Sequence, residues 1–248
     1  MILSGQKILI TGASRGIGAA CARLCASEGA NVVLVARNLE KLNNVRDSLP
    51  GFGHVTISAD LQKPEECVSD IFQKACEDGC KLTGFVHAAG IGSVIPIKMV
   101  SFKEMLEIFT VNYFSFMLMI RQFIKKKYSD GGSIVAISSV AAVAGWQGLS
   151  AYAGSKGAIN SSIRSLAIEL VEKGFRVNSV LPSNIKTDML NTMTSVLAER
   201  EIEDIKKKQP LGFGTPEDIA NSVVFLLNPA SRFITGSSLF VDGGYTAL

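Results

Sequence analysis

Residues 7–18, KILITGASRGIG, constrain the fold more than any other stretch of this chain. A short β-branched run, Lys7 to Thr11, passes directly into a turn carrying Gly12, Gly16 and Gly18, and then into the helical pattern AACARLCASEGA, which Gly29 ends. Glycines there permit a tight turn and let backbone N–H groups approach a phosphate at the positive end of the following helix. A buried strand that feeds a helix through such a turn is half of a parallel strand–helix–strand unit.

Asn31 to Ala36, NVVLVA, completes that unit. The position about twenty residues beyond the glycines is where a carboxylate grips the ribose of a dinucleotide. Here it reads Ala36, Arg37, Asn38, with no carboxylate for a free 2′-hydroxyl and a guanidinium suited to a 2′-phosphate. Arg15, inside the glycine turn, is a second candidate. NADP(H) is therefore expected over NAD, the alternative being that both arginines face solvent.

The alternation continues. Val55 to Ala59 ends at Asp60 and leads into the helix PEECVSDIFQKACEDG, and Leu82 to His87 is followed by Ala88, Ala89 and Gly90. A helix from Phe102 to Lys127 carries Asn112 on its apolar face. Phe175 to Leu181 reads as a strand stopped by Pro182, Thr215–Pro216–Glu217 open a last helix, and Leu239 to Val241 close the sheet. Strands alternating with helices indicate an α/β chain with a doubly wound parallel sheet, which binds ligands at the carboxyl ends of its strands. Asp60, Gly90 and Ser139 all fall at such ends. Two roles stand open for Asp60, a ligand contact or a helix-cap and turn residue. Asn112 is either a clamp on backbone or the holder of a water near the site.

The chemistry centres on Ser150 to Lys156, SAYAGSK, where Tyr152 and Lys156 stand four apart on one helical face. A phenol titrates near ~10 in water, and a neighbouring ammonium lowers that value. Thirteen residues upstream, Ser139 follows the strand-like run SIVAIS and can bring a hydroxyl beside the phenol. Together they would make a proton donor, a tuner and a carbonyl anchor. A Tyr and a Lys at this spacing also occur as an ordinary surface contact, so the rest of the chain carries the functional reading.

Composition excludes several classes. With 248 residues, 47% hydrophobic and 19% charged, the chain can fill a sizeable core, and a formal charge of +3 is too small for a nucleic-acid binder. Lys125–Lys127 and Lys206–Lys208 read as solvated helix ends and faces. Cys21, Cys25, Cys67, Cys76 and Cys80 lack zinc-like spacing and only two histidines accompany them, so no metal is expected and a reduced cytoplasm fits. Cys21 with Cys25, and Cys76 with Cys80, are expected on helix faces. The N-terminus runs straight into a strand without a leader pattern, and the longest apolar stretch, Met105 to Ile120, holds Glu107 and Asn112, so no membrane segment is expected.

These residues resemble the short-chain dehydrogenase/reductase family over essentially the whole chain. The matching positions are Thr11-Gly12-x-x-x-Gly16-x-Gly18, Asp60, Ala89-Gly90, Asn112, Ser139, Tyr152-x-x-x-Lys156, and Pro182 with Thr187. The closing segment, from GFGTPEDIANSVV to FVDGGY, is similar to the 3-oxoacyl-acyl-carrier-protein reductase branch, which also contains enzymes with other substrates. The resemblance implies one Rossmann domain over residues 1–248, with a sheet of about seven strands. Catalytic roles would fall to Asn112, Ser139, Tyr152 and Lys156. Cofactor contacts would come from Gly12, Ser14, Arg15, Gly16, Ile17, Gly18, Arg37, Asp60, Leu61, Ala89, Gly90, Tyr152, Lys156, Pro182, Ile185 and Thr187.

Within that resemblance Tyr152 gives a proton to a carbonyl oxygen as hydride reaches carbon, Ser139 holds the oxygen, Lys156 binds ribose and lowers the phenol pKa, and Asn112 supports a water relay. The branch implies a 3-oxoacyl substrate on acyl-carrier protein or coenzyme A, and a homotetramer or dimer in the cytoplasm. The alternatives are a sugar, polyol or other small ketone as substrate, or a silent NADP-binding regulator, against which the intact Asn112, Ser139, Tyr152 and Lys156 set argues. One departure is His87-Ala88-Ala89-Gly90 where many relatives carry Asn-Asn-Ala-Gly; His87 is read as a packed or backbone-bonded histidine without a catalytic role. Ser138 is a possible second polar group in the site. Residues 183–210 form a candidate substrate lid whose Met189, Leu190, Met193, Val196 and Leu197 offer apolar contact, with Trp146 on the opposite wall.

Overall fold

The computed structural model describes residues 1–194, 203, 205 and 207–247. The side chain of Met193, and Val196, Leu197 and Lys206, lie outside the described residues. Seven strands among the described residues, β1 (Lys7–Thr11), β2 (Asn31–Ala36), β3 (Val55–Ser58), β4 (Gly84–His87), β5 (Gly132–Ile137), β6 (Phe175–Pro182) and β7 (Ser238–Val241), form one parallel sheet. Their order is β3-β2-β1-β4-β5-β6-β7.

Side chains alternate between two cores, because a strand points successive residues to opposite faces. From β1, Ile8 and Ile10 face α1 (Gly16–Ser27) and α8 (Pro216–Leu227), where Cys21, Cys25, Val223 and Val224 bury. Leu9 faces the other layer, where Phe72 of α3 (Pro64–Ala75), Phe116 and Phe123 of α5 (Ser115–Phe123) and Ile163 of α6 (Ser150–Leu170) pack. Both faces are covered, which is why the strands read as continuous apolar runs instead of alternating ones. The short α2 (Leu39–Asp47) packs Leu42 and Val45 on the α1 side.

Local signals set the helix starts. Ser101 and Glu104 form a capping box at the start of α4 (Phe102–Phe109), and Thr215 and Asp218 form another before Pro216, as expected for the last helix. The expected helix 102–127 is not continuous. A π-turn over Thr110–Phe114 separates α4 from α5, and the chain leaves the helix after Phe123, so Lys125–Lys127 sit in a turn. Cys76 and Cys80 also depart from expectation: α3 ends at Ala75, so Cys76 caps it and Cys80 is exposed beyond it, while Cys21 and Cys25 are buried in α1. Pro182 is the last residue of β6, opposite Val241, a strand end where its missing N–H costs little.

Register brings the strand ends into line, with Thr11 opposite Val35 and His87, and His87 opposite Ala136. Order reverses between β1 and β4, so a crevice opens above their carboxyl ends. Among the described residues no helix is long and apolar enough to cross a membrane, and no group of His, Cys, Asp or Glu is arranged to hold a metal ion.

Candidate active site

A cleft of about 400 Å³ lies in that crevice, lined at its floor by Gly12, Ser14, Arg15, Gly16, Ile17 and Gly18. Gly12 has φ +68, and a Cβ there would stand 2.8 Å from the Ala88 carbonyl. Gly18 is closer still: a Cβ would collide with the Gly12 carbonyl oxygen. Arg15 occupies the N-cap of α1 without a side-chain cap bond, which leaves the first N–H groups of a 12-residue helix free for an anion.

Arg37 lines the far end of the cleft together with Asn38 and Lys41. Asn38 caps α2 by accepting from Lys41 N at 2.8 Å. Sequence reasoning missed Lys41, which stands in the first turn of α2, just past the Asn38 cap that follows Arg37. Asp60 lines the cleft and accepts from Gln62 N at 3.0 Å, so it holds a turn as well. Leu61, Ala89, Gly90 and Thr187 also line it, and Thr187 packs over Gly16. Tyr152, Lys156, Pro182 and Ile185 are not among its walls. Ile185 is buried in the α1-side core and pairs its backbone with Gly214, because an isoleucine gains more from that core than from the solvent-filled cleft.

At the inner end Gly90 meets the catalytic candidates: a Cβ on it would stand 3.4 Å from Lys156 Nζ and 3.5 Å from Asn112 Oδ1. Lys156 is buried and donates to the Ile137 carbonyl at 2.7 Å. Burial draws its pKa down from 10.5 to about 8. Tyr152 packs its ring against Gly92, and Ser139, whose Oγ accepts from Ala141 N at 3.1 Å, acts on the phenol. Desolvation pushes the phenol up, and the Ser139 side chain opposes that rise. The sequence expectation of a net lowering by Lys156 is not met here, because the ammonium is turned to Ile137 and lies 5.8 Å from the ring centroid.

Asn112 sits in the π-turn as a clamp. Its Oδ1 accepts from Ile91 N at 2.9 Å, and its Nδ2 donates to Ile91 O at 3.0 Å and to Ser155 Oγ at 2.9 Å. Ser155 in turn donates to the Tyr152 carbonyl at 2.7 Å, a link that the sequence reading overlooked inside SAYAGSK. Ser138 is not a group of the site, since it is buried and donates to the Lys156 carbonyl at 3.2 Å. His87 is packed, as expected: its Nδ1 meets Thr11 Oγ1 at 3.1 Å and its ring lies against Phe85 and Phe116. Desolvation, with the Lys156 charge second, pushes its pKa down to about 3, so it is neutral.

Known proteins resemble this chain over nearly its whole length. A family model described as Enoyl-(Acyl carrier protein) reductase matches residues 12–246. Carbonyl reductase family member 4 of Danio rerio is 38% identical over 245 residues, covering 97% of this chain and 98% of that protein. The chain belongs to the short-chain dehydrogenase/reductase family. The 3-oxoacyl-[acyl-carrier-protein] reductase FabG of Rickettsia felis is 37% identical, covering 98% and 97% of the two chains. A candidate NAD(P)-dependent gluconate 5-dehydrogenase from Beutenbergia cavernae, solved with NADP at low occupancy, superposes with a TM-score of 0.90 at 29% identity, covering 99% and 98%.

This short-chain dehydrogenase/reductase is thus of an oxidoreductase family that uses nicotinamide cofactors. Its cleft fits such a group: the glycine cradle has no room for a Cβ, and uncapped amides end at one side with cations at the other.

Proposed function

We propose that the protein reduces a 3-oxoacyl thioester, on acyl-carrier protein or coenzyme A, to the secondary alcohol with NADPH, the reverse being alcohol oxidation. The observation that carries this reading is buried Lys156 beside Gly90 with the Tyr152 ring against Gly92 and near Lys156, where Gly90 borders a cleft whose other end is basic. The bound nicotinamide supplies the hydride. Tyr152 gives its phenolic proton to the carbonyl oxygen, and Ser139 holds that oxygen by a hydrogen bond. The phenolate left behind is stabilised by the Lys156 ammonium and regains a proton from solvent. Asn112 is a positioning residue: through Ser155 it fixes the first turn of α6, and through Ile91 it fixes the loop that borders Tyr152.

Arg37, Lys41 and Arg15 would hold the adenosine 2′-phosphate, favouring NADPH. The names of the Rickettsia and zebrafish relatives support a carbonyl substrate and, for the former, an acyl-carrier-protein thioester. Residues 183–210 would cover the substrate, since Asp188 and Met189 line the cleft after Thr187. The test is NADPH oxidation, with NADH in parallel, against 3-oxoacyl thioesters and sugar ketones. Thioester turnover with NADPH is expected, and Tyr152→Phe should lower kcat about a thousandfold with little change in NADPH affinity. Full turnover by Tyr152→Phe would remove the acid role, and turnover of sugar ketones alone would remove the substrate.

A further inference from the structure

The chain's single tryptophan, Trp146, lies in the loop between Ser139 and Tyr152, and its ring stacks on that of Tyr245 at 6.1 Å with an interplanar angle of 7°. Tyr245 belongs to the C-terminal tail beyond β7, so this contact joins residues almost a hundred apart in the chain. A large stacked pair at this place is more than packing, because Trp146 stays 37% exposed while its loop is otherwise tied down. Ile95 N donates to the Gly148 carbonyl at 2.8 Å, and a Cβ on Gly148 would stand 2.8 Å from Val94. That neighbouring loop also carries Gly92, which lies on the Tyr152 ring. The two loops flanking the phenol are therefore tied together, and they leave Val94, Val143 and Trp146 as exposed apolar side chains.

The tail that supplies Tyr245 is built to hold its shape. Asp242 accepts from Gly244 N at 3.0 Å, from Thr246 N at 2.9 Å and from Thr246 Oγ1 at 2.6 Å. The same tail reaches both ends of the segment opposite: Ser183 Oγ donates to the Asp242 carbonyl at 2.9 Å, and Leu211 N to the Gly243 carbonyl at 3.1 Å. One short segment thus connects the loop before Tyr152 to the base of the segment facing it, and so sets the width of the mouth between them.

We infer that Trp146 and Tyr245 form a specificity-determining aromatic wall, which selects substrates whose carbonyl carries a long apolar arm. This rests on the proposed reading of a thioester substrate. Trp146 stands in the loop that leads from Ser139 to Tyr152 and, with exposed Val94 and Val143, would give an arm leaving the carbonyl an apolar surface whose flat indole face makes a large contact at small loss of conformational freedom.

The test compares kcat/KM for long- and short-chain 3-oxoacyl thioesters in wild type, Tyr245→Ala and Tyr245→Phe, with thermal unfolding of each. Loss of the stack should lower the long-to-short ratio about tenfold in Tyr245→Ala, through KM, while Tyr245→Phe keeps the ratio. A ratio unchanged in Tyr245→Ala, or one that falls equally in Tyr245→Phe, overturns the wall. The fluorescence of Trp146 supplies a readout independent of turnover. Should wild type turn over no thioester, the substrate reading falls, and the wall is decided by titrating this emission with long- and short-chain methyl ketones. Tighter saturation by the long ketone keeps the wall, and equal response removes it.

Discussion

The two walls of the cleft are built in different ways. The cofactor-side wall is drawn mainly from the first two strand–turn–helix repeats: Gly12 to Gly18 form its floor and Arg37, Asn38 and Lys41 close its outer end, with Asp60, Leu61, Ala89 and Gly90 joining from the next two strand ends. The substrate-side wall is assembled from four separated segments, the loops around Gly92 and Trp146, the segment after Pro182 and the C-terminal tail. Backbone sterics set the first, and side-chain hydrogen bonds and stacking set the second. A wall of the first kind should fail completely at a single atom, and a wall of the second kind should fail by degrees.

Among changes to the walls themselves, the largest effect is expected at Gly18. A single methyl there meets the Gly12 carbonyl, with the Gly12 carbonyl carbon at 2.7 Å, so the turn must move. Gly18→Ala should weaken NADPH binding about a hundredfold or more by calorimetry. Wild-type affinity in this variant would show that the floor yields as readily as the opposite wall, and the contrast would be lost.

The seam between the walls is Lys156, and pH reads it. Its pKa is displaced downward to about 8, so the ammonium is present below that value and lost as pH rises through it. The reductive kcat should therefore fall above pH 8, by about tenfold per unit, and Lys156→Arg should carry the fall to higher pH because a guanidinium keeps its proton. A profile flat until the usual 10.5 would show that Lys156 is solvated in the working enzyme.

The smallest effect is expected at Gln209. It is buried, accepts from Asn184 Nδ2 at 3.2 Å and donates to the Gly212 carbonyl at 2.7 Å, tying together the two ends of residues 183–210. Gln209→Leu leaves the Asn184 amide buried without its partner, at about 1–3 kcal/mol, which should lower the unfolding midpoint by roughly 3–10 °C. NADPH affinity should stay near wild type. Adding Asn184→Leu should recover part of the loss, since the orphaned amide is then gone. A cofactor affinity that fell with Gln209→Leu would break the separation of the walls.

Much of the fold was legible because its signals are local. The bounds of β1 and β2 match the apolar runs Lys7–Thr11 and Asn31–Ala36, and the capping residues Thr215 and Pro216 mark the start of the last helix. The split of the helix after Phe102 was not legible, because a π-turn replaces one hydrogen-bond pattern with another without altering the apolar periodicity. The same limit hid the Asn112–Ser155–Tyr152 chain, which joins a π-turn to a helix that is distant in sequence. The direction of the Tyr152 shift was also hidden, because spacing reveals a neighbour and not its orientation or its burial.

What the amino-acid order determined by itself is the repeating strand–turn–helix frame, the glycine floor and the pairing of Tyr152 with Lys156 on one helix. Each depends on residues within a turn or two of one another, where backbone geometry leaves few choices. Only the tertiary structure decided that Lys156 turns to the Ile137 carbonyl, that Asn112 clamps Ile91, that Asn184 pairs with Gln209 and that Tyr245 stacks on Trp146. These contacts join segments that the sheet brings together, and their geometry follows from packing and desolvation summed over the whole chain.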